Sequence, residues 1–99
     1  MNREQKIKEE IRNVFRRMND ELRGYQVFLF GSRASKTAHE HSDFDVGVYG
    51  KQRLPPKTFA KAQDLLEDIE TLYTIDWVDL NDTTEKFRCE AMKSVEMLH

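Results

Sequence analysis

Fifteen residues, Gly31-Ser32 through Asp43-Phe44-Asp45, concentrate the side chains able to do chemistry. Gly31 closes an apolar run of strand length and has no side chain, so a ligand can approach its backbone closely. Ser32 opens a small, polar stretch whose first part, 32–38, is predicted to form one or two helical turns. A hydroxyl beside the unpaired amides of a helix start makes a phosphate cradle. Asp43 and Asp45 lie two apart on a predicted strand, so both carboxylates project from one face. Acids that close repel each other unless a proton or cation intervenes. Mg²⁺ suits such a pair, because it takes one or two carboxylates together with substrate phosphates. An isolated Asp-x-Asp also reads as a solvated strand face, or as a helix cap after Ser42.

Asp76 adds a third acid. It sits in Tyr73-Thr-Ile-Asp-Trp-Val-Asp-Leu80, a strand candidate where an unpaired charge is costly unless it has a partner. If this strand lies beside 43–49, Asp76 joins Asp43 and Asp45 on the ligand face, while Ile75 and Trp77 turn toward helices. Asp79 has the opposite parity and falls where the strand should end, so Asp76 is the preferred third acid.

These residues need elements to position them. Ile7, Ile11, Val14, Phe15, Met18 and Leu22 recur at steps of three and four, which predicts an amphipathic helix over 3–22, with Gly24 as its stop. Residues 25–30 read as a strand buried on both faces. In 43–49, Phe44, Val46 and Val48 alternate with Asp43, Asp45 and Gly47. Two prolines at 55 and 56 suit the entry to a second helix, marked by Phe59, Ala62, Leu65, Leu66, Ile69 and Leu72. Residues 73–78 form the third strand. Asp82 followed by Glu85 resembles a capping pair, and Phe87, Ala91, Val95 and Leu98 predict a last helix running almost to the C-terminus. The expectation is one α/β domain spanning 1–99: a three-stranded mixed sheet flanked by about four helices.

Composition bounds the function. Ninety-nine residues with 16 Lys plus Arg against 18 Asp plus Glu carry a net charge of −2. Domains that grip a nucleic acid backbone by bulk charge are usually strongly basic, so this balance argues against such a partner. Six Phe, three Tyr and one Trp exceed what a disordered chain carries. A single cysteine, Cys89, excludes an intrachain disulfide and a Cys-rich zinc site. The longest apolar run is the four residues 27–30, far short of the roughly 20 needed for a membrane span. The polar N-terminus predicts no secretory signal. A cytoplasmic protein is the resulting expectation.

Gly31-Ser32, ten residues, then Asp43-x-Asp45 resembles the Gly-Ser-x₁₀-Asp-x-Asp signature of the DNA polymerase β-like nucleotidyltransferases. Gly-Ser-Arg-Ala and Ser-Asp-Phe-Asp look like the wording of its minimal, MNT-type branch, and Ile75-Asp76-Trp77-Val78-Asp79-Leu80 looks like that branch's third-acid strand. The resemblance covers roughly residues 25–80, and the flanking helices only in pattern. Lys36 stands where the family often has Gly, His39-Glu40-His41 where Pro or Asp is common, and Phe44 replaces an aliphatic residue. Those departures bear on loop shape and substrate preference.

The resemblance implies nucleotidyl transfer. Two Mg²⁺ ions, typically about 3.5–4 Å apart, would be held by Asp43, Asp45 and Asp76. Gly31, Ser32 and Arg33 would bind the nucleotide, and Asp76 would help deprotonate an acceptor hydroxyl. AMP from ATP would pass to that hydroxyl. For the MNT branch the frequent implication is pairing with a separately encoded HEPN toxin, for which the transferase would be the antitoxin and whose tyrosine would be the acceptor. A non-catalytic module that neutralises its partner by contact is one alternative. Another is a small-molecule nucleotidyltransferase working as an oligomer. Ninety-nine residues leave no room for a lid or acceptor domain, so a partner or a second copy is expected to complete the cleft.

Several residues have two readings. Arg33 and Lys36 could meet phosphates or be surface charges, and His39 with His41 could hold a transition metal or be polar loop surface. Tyr73 and Trp77 read as core or as a base-stacking surface. Cys89 reads as inert packing. Met92, Met97 and Leu98 read as core or as an adaptable partner surface.

Overall fold

The computed structural model describes residues 2–35 and 43–99, with Ser32 and Ser35 at the level of the backbone. Helix α1 spans Arg3–Arg17. Asn2 starts it with a reciprocal cap: its side chain accepts from the Gln5 N–H at 2.8 Å, and the Gln5 side chain accepts from the Asn2 N–H at 3.4 Å. The helix ends five residues before the predicted boundary. Met18 and Leu22 are nonetheless buried, carried into the core by successive turns that end at Gly24, whose φ of +83° is left-handed. A helical spacing of apolar residues therefore persists where the helix does not.

Strand β1 is Gln26–Phe30 and the single turn α2 is Ser32–Ser35. Strand β2 is Phe44–Tyr49, helix α3 Pro56–Glu67, and strand β3 Ile75–Asp79. A 3₁₀ turn at Leu80–Asp82, helix α4 at Glu85–Ala91 and strand β4 at Glu96–Met97 complete the order. The predicted extension of α2 to Ala38 lies outside the described residues, as do Lys36, His39 and His41. Helix α3 stops short of Leu72, which is fully exposed. Among the described residues, no helix is long and apolar enough to cross a membrane.

The mixed sheet has four strands in the order β3-β2-β1-β4, not three. Strand β1 runs antiparallel to both β2 and β4, and β2 runs parallel to β3. The extra strand replaces the C-terminal part of the predicted last helix. Val95 and Leu98 share a helical spacing, but β1 has a free edge with backbone groups to satisfy. The C-terminal segment supplies them: Leu98 donates to the Val27 carbonyl at 2.8 Å, and Val27 donates to that of His99 at 3.0 Å. Glu96 fastens β4 to α1 through Lys8 at 3.0 Å and Arg12 at 3.3 Å.

Strand alternation sorts the core into two layers. Val27, Leu29, Phe44, Val46 and Val48 join α1 and α3 on one face, with Ile75 and Trp77 packed against them. Phe28, Phe30, Leu80 and Ala91 form a smaller cluster on the other face, under the short α4. Trp77 stacks on Phe59 with ring centroids 5.4 Å apart and lies 5.3 Å from Phe15. Its indole N–H donates to the Phe59 carbonyl at 3.1 Å, which fixes the half-buried ring in the helix-covered layer. The cap of α4 is Thr84, which accepts from the Phe87 N–H at 3.1 Å. Asp82 instead belongs to the 3₁₀ turn and pairs with Arg53 at 3.1 Å. Cys89 is exposed on α4, because that helix turns only its Ala91 side inward. Leu98 is core, while Met97 remains exposed.

Candidate active site

Two backbone ladders bring the signature residues together. Asp45 is the cross-strand partner of Phe30, the residue before Gly31, in the antiparallel β1–β2 pair. In the parallel β2–β3 pair it stands opposite Asp76. Both carboxylates rise from the thinly covered face, because Phe44, Val46, Ile75 and Trp77 occupy the helix-covered one. Asp43 is exposed at the entry to β2.

Gly31 is a requirement of this geometry. Its φ of +72° is left-handed, and a Cβ built there would stand 2.5 Å from an Asp45 carboxylate oxygen. No other residue type allows the backbone after β1 to turn this close to the carboxylate. The turn delivers the chain into α2 beside Asp45.

The electrostatics match the crowding. Burial pushes the Asp45 carboxyl up from 3.8 to about 6, and the nearby Asp76 and Asp43 charges and an Asp76 hydrogen bond push the same way. Among the described residues, no three carboxylate, imidazole or thiol groups already stand close enough to hold an ion. Asp45 and Asp76 form the close pair, and Asp43 acts on it through charge. The donor set is hard oxygen with excess negative charge at one point, which suits a divalent cation such as Mg²⁺. Asp45 and Asp76 open into a cleft of about 800 Å³ that also meets Phe30, Val78 and Phe87. Phe87 escaped the sequence reading: it appeared only as a helix-face position, yet the residue is 46% exposed and its ring lies edge-on to Phe30.

The other acids and cations fall elsewhere. Asp79 is structural: its carboxylate accepts from the Leu54 N–H at 2.7 Å and from both the backbone and side-chain amides of Asn81 at 2.9 Å. Arg33 is neither on the surface nor in the acid cleft. Only 6% of it is exposed, and its guanidinium lies 4.3 Å from the Phe44 ring centre and 5.0 Å from that of Tyr73. Glu4 of α1 lies 3.5 Å from the guanidinium. The surface-charge reading of Arg33 is thereby corrected, since aromatic rings on the helix-covered face draw the cation inward.

The family model for the polymerase β nucleotidyltransferases matches residues 6–99. No curated protein matches the chain. Among solved structures, a toxin–antitoxin complex with AMP-PNP superimposes with a TM-score of 0.65 at 22% identity, over 93% of this chain and 72% of that one. The MNT antitoxin in complex with a tri-AMPylated Shewanella oneidensis HEPN toxin gives 0.63 at 20% identity, over 96% and 71%. An MntA–HepT toxin–antitoxin complex gives 0.61 at 20% identity, also over 96% and 71%. At these identities the likeness is one of fold. The family match extends over nearly the whole chain, and the chain belongs to the polymerase β nucleotidyltransferase family.

Proposed function

We propose that this protein is a Mg²⁺-dependent nucleotidyltransferase that moves AMP from ATP onto a hydroxyl, namely a tyrosine of a HEPN-type toxin, and so acts as its antitoxin. The observation that carries the reading is the Asp45–Asp76 carboxylate pair placed against the Gly31 turn. Similar folds in a toxin–antitoxin complex with AMP-PNP and in a complex with an AMPylated HEPN toxin support the choice of nucleotide and partner.

Asp43, Asp45 and Asp76 would hold Mg²⁺, which when bound neutralises triphosphate charge and acidifies the acceptor hydroxyl. Backbone amides after Gly31, with Ser32, hold the triphosphate tail. The acceptor oxygen attacks the α-phosphorus, the α–β bridging P–O bond breaks, and pyrophosphate leaves. Asp76, the exposed member of the pair, takes the hydroxyl proton and returns it to solvent. Holding the reactants in line and stabilising charge supply most of the rate.

The test is incubation of the purified protein with Mg²⁺, labelled ATP and the co-purified partner, followed by mass spectrometry of the partner. Addition of one or more AMP groups on tyrosine is the expected result. Absence of any label with active partner present would reject the reading.

A further inference from the structure

A single helical turn does not hold its own position, since nucleating a helix costs more than one turn returns. Helix α2 is such a turn, and it carries the Gly31–Ser32 corner that faces Asp45. Something outside it must fix that corner. The structure supplies an anchor in the Arg33 side chain, buried among residues of three other segments. Phe44 lies between Asp43 and Asp45, Tyr73 leads into β3 three residues before Asp76, and Glu4 lies on α1. Phe44 and Tyr73 meet edge to face with ring centres 5.4 Å apart, so the two aromatics make one platform under the guanidinium.

Phe44 points to the helix-covered face and Asp45 to the opposite one, which places the Arg33 guanidinium beneath the sheet surface that carries the acids. We infer that Arg33 is a positioning residue: it locks the Gly31–Ser32 corner to the strands bearing Asp43, Asp45 and Asp76, and does not itself bind phosphate. This inference rests on the nucleotidyltransferase reading for its functional consequence, although the lock itself does not depend on it.

The distinguishing experiment compares Arg33→Met with Tyr73→Leu, whose residue also borders the cleft of Asp45 and Asp76, and with Glu4→Gln, which lies outside that cleft. Affinity for ATP with Mg²⁺ is measured by calorimetry, and backbone order at residues 32–35 by ¹⁵N heteronuclear NOE on metal-free protein. Arg33→Met and Tyr73→Leu should each weaken ATP binding roughly tenfold, the scale of one desolvated cation–π contact. Their double variant should be little worse than either alone, because both remove the same lock. The loss should appear in KM for ATP and not in kcat, with a lowered NOE at 32–35 in both variants and a smaller fall in Glu4→Gln. If Arg33→Met weakens ATP binding while Tyr73→Leu leaves it unchanged, Arg33 touches phosphate and the inference is overturned. An unchanged NOE in Arg33→Met and Tyr73→Leu overturns it as well. Should Arg33→Met fail to fold, Tyr73→Leu with Glu4→Gln still decides by the same two readouts. Wild-type protein that binds no ATP would instead reject the proposed function, and the NOE arm would still judge the lock.

Discussion

Asp45→Asn should make the metal-free protein more stable while removing its activity. A carboxyl moved from 3.8 to about 6 holds its proton more tightly in the folded state than in the unfolded one. The sign follows from linkage: the contribution of this carboxyl to stability is most favourable below about pH 4, falls as pH rises toward 6, and stays low above it. A shift of this size corresponds to about 3 kcal/mol, and partial exposure, where solvent screens the repulsion, reduces it to about 1–2 kcal/mol. Asn keeps the shape and removes the charge, so it should recover that amount at pH 7.5 and nothing near pH 4. The assay is urea unfolding of both proteins in EDTA at the two pH values, read by Trp77 fluorescence. Addition of millimolar Mg²⁺ should then stabilise the wild type and leave the variant unchanged. An Asp45→Asn protein less stable than wild type at pH 7.5, or a difference that does not depend on pH, would refute the reasoning.

The remaining acids and Gly31 separate structure from chemistry. Asp79→Ala should cost about 1–3 kcal/mol, because the Leu54 and Asn81 amides lose their acceptor, while transfer per folded molecule persists; unfolding curves and a transfer assay on one preparation check both. Gly31→Ala should lose about 1–2 kcal/mol from the left-handed backbone alone and should also abolish ATP binding, since the new methyl group displaces the Asp45 carboxylate; calorimetry reads the second effect. Cys89 should react fully with a thiol reagent in the native protein, because it is exposed; protection until unfolding would contradict its placement.

What was legible in the sequence was whatever strand alternation and fixed spacing encode. The alternation in 43–49 placed Phe44, Val46 and Val48 on the core side and Asp45 opposite them, and the structure agrees. The same parity argument separated Asp76 from Asp79, and hydrogen bonds explain why Asp79 is needed elsewhere. Helix ends were not legible, because Met18, Leu22 and Ile69 keep a helical spacing while packing from turns. Strand β4 was hidden for a different reason: its two residues are specified by the free edge of β1 and by Lys8 and Arg12, both far away in sequence. The burial of Arg33 was not legible, because it depends on Phe44, Tyr73 and Glu4 converging, which no local pattern records.

The central claim is that Asp43, Asp45 and Asp76 together drive AMP transfer to the partner. Its most direct measurement is mass spectrometry of the HEPN-type partner after incubation with ATP, Mg²⁺ and wild-type, Asp43→Asn, Asp45→Asn or Asp76→Asn protein, each confirmed folded. The account predicts AMP on a partner tyrosine with wild type and none with any of the three variants. AMP transfer that persists in a folded Asp43→Asn, Asp45→Asn or Asp76→Asn protein would contradict it.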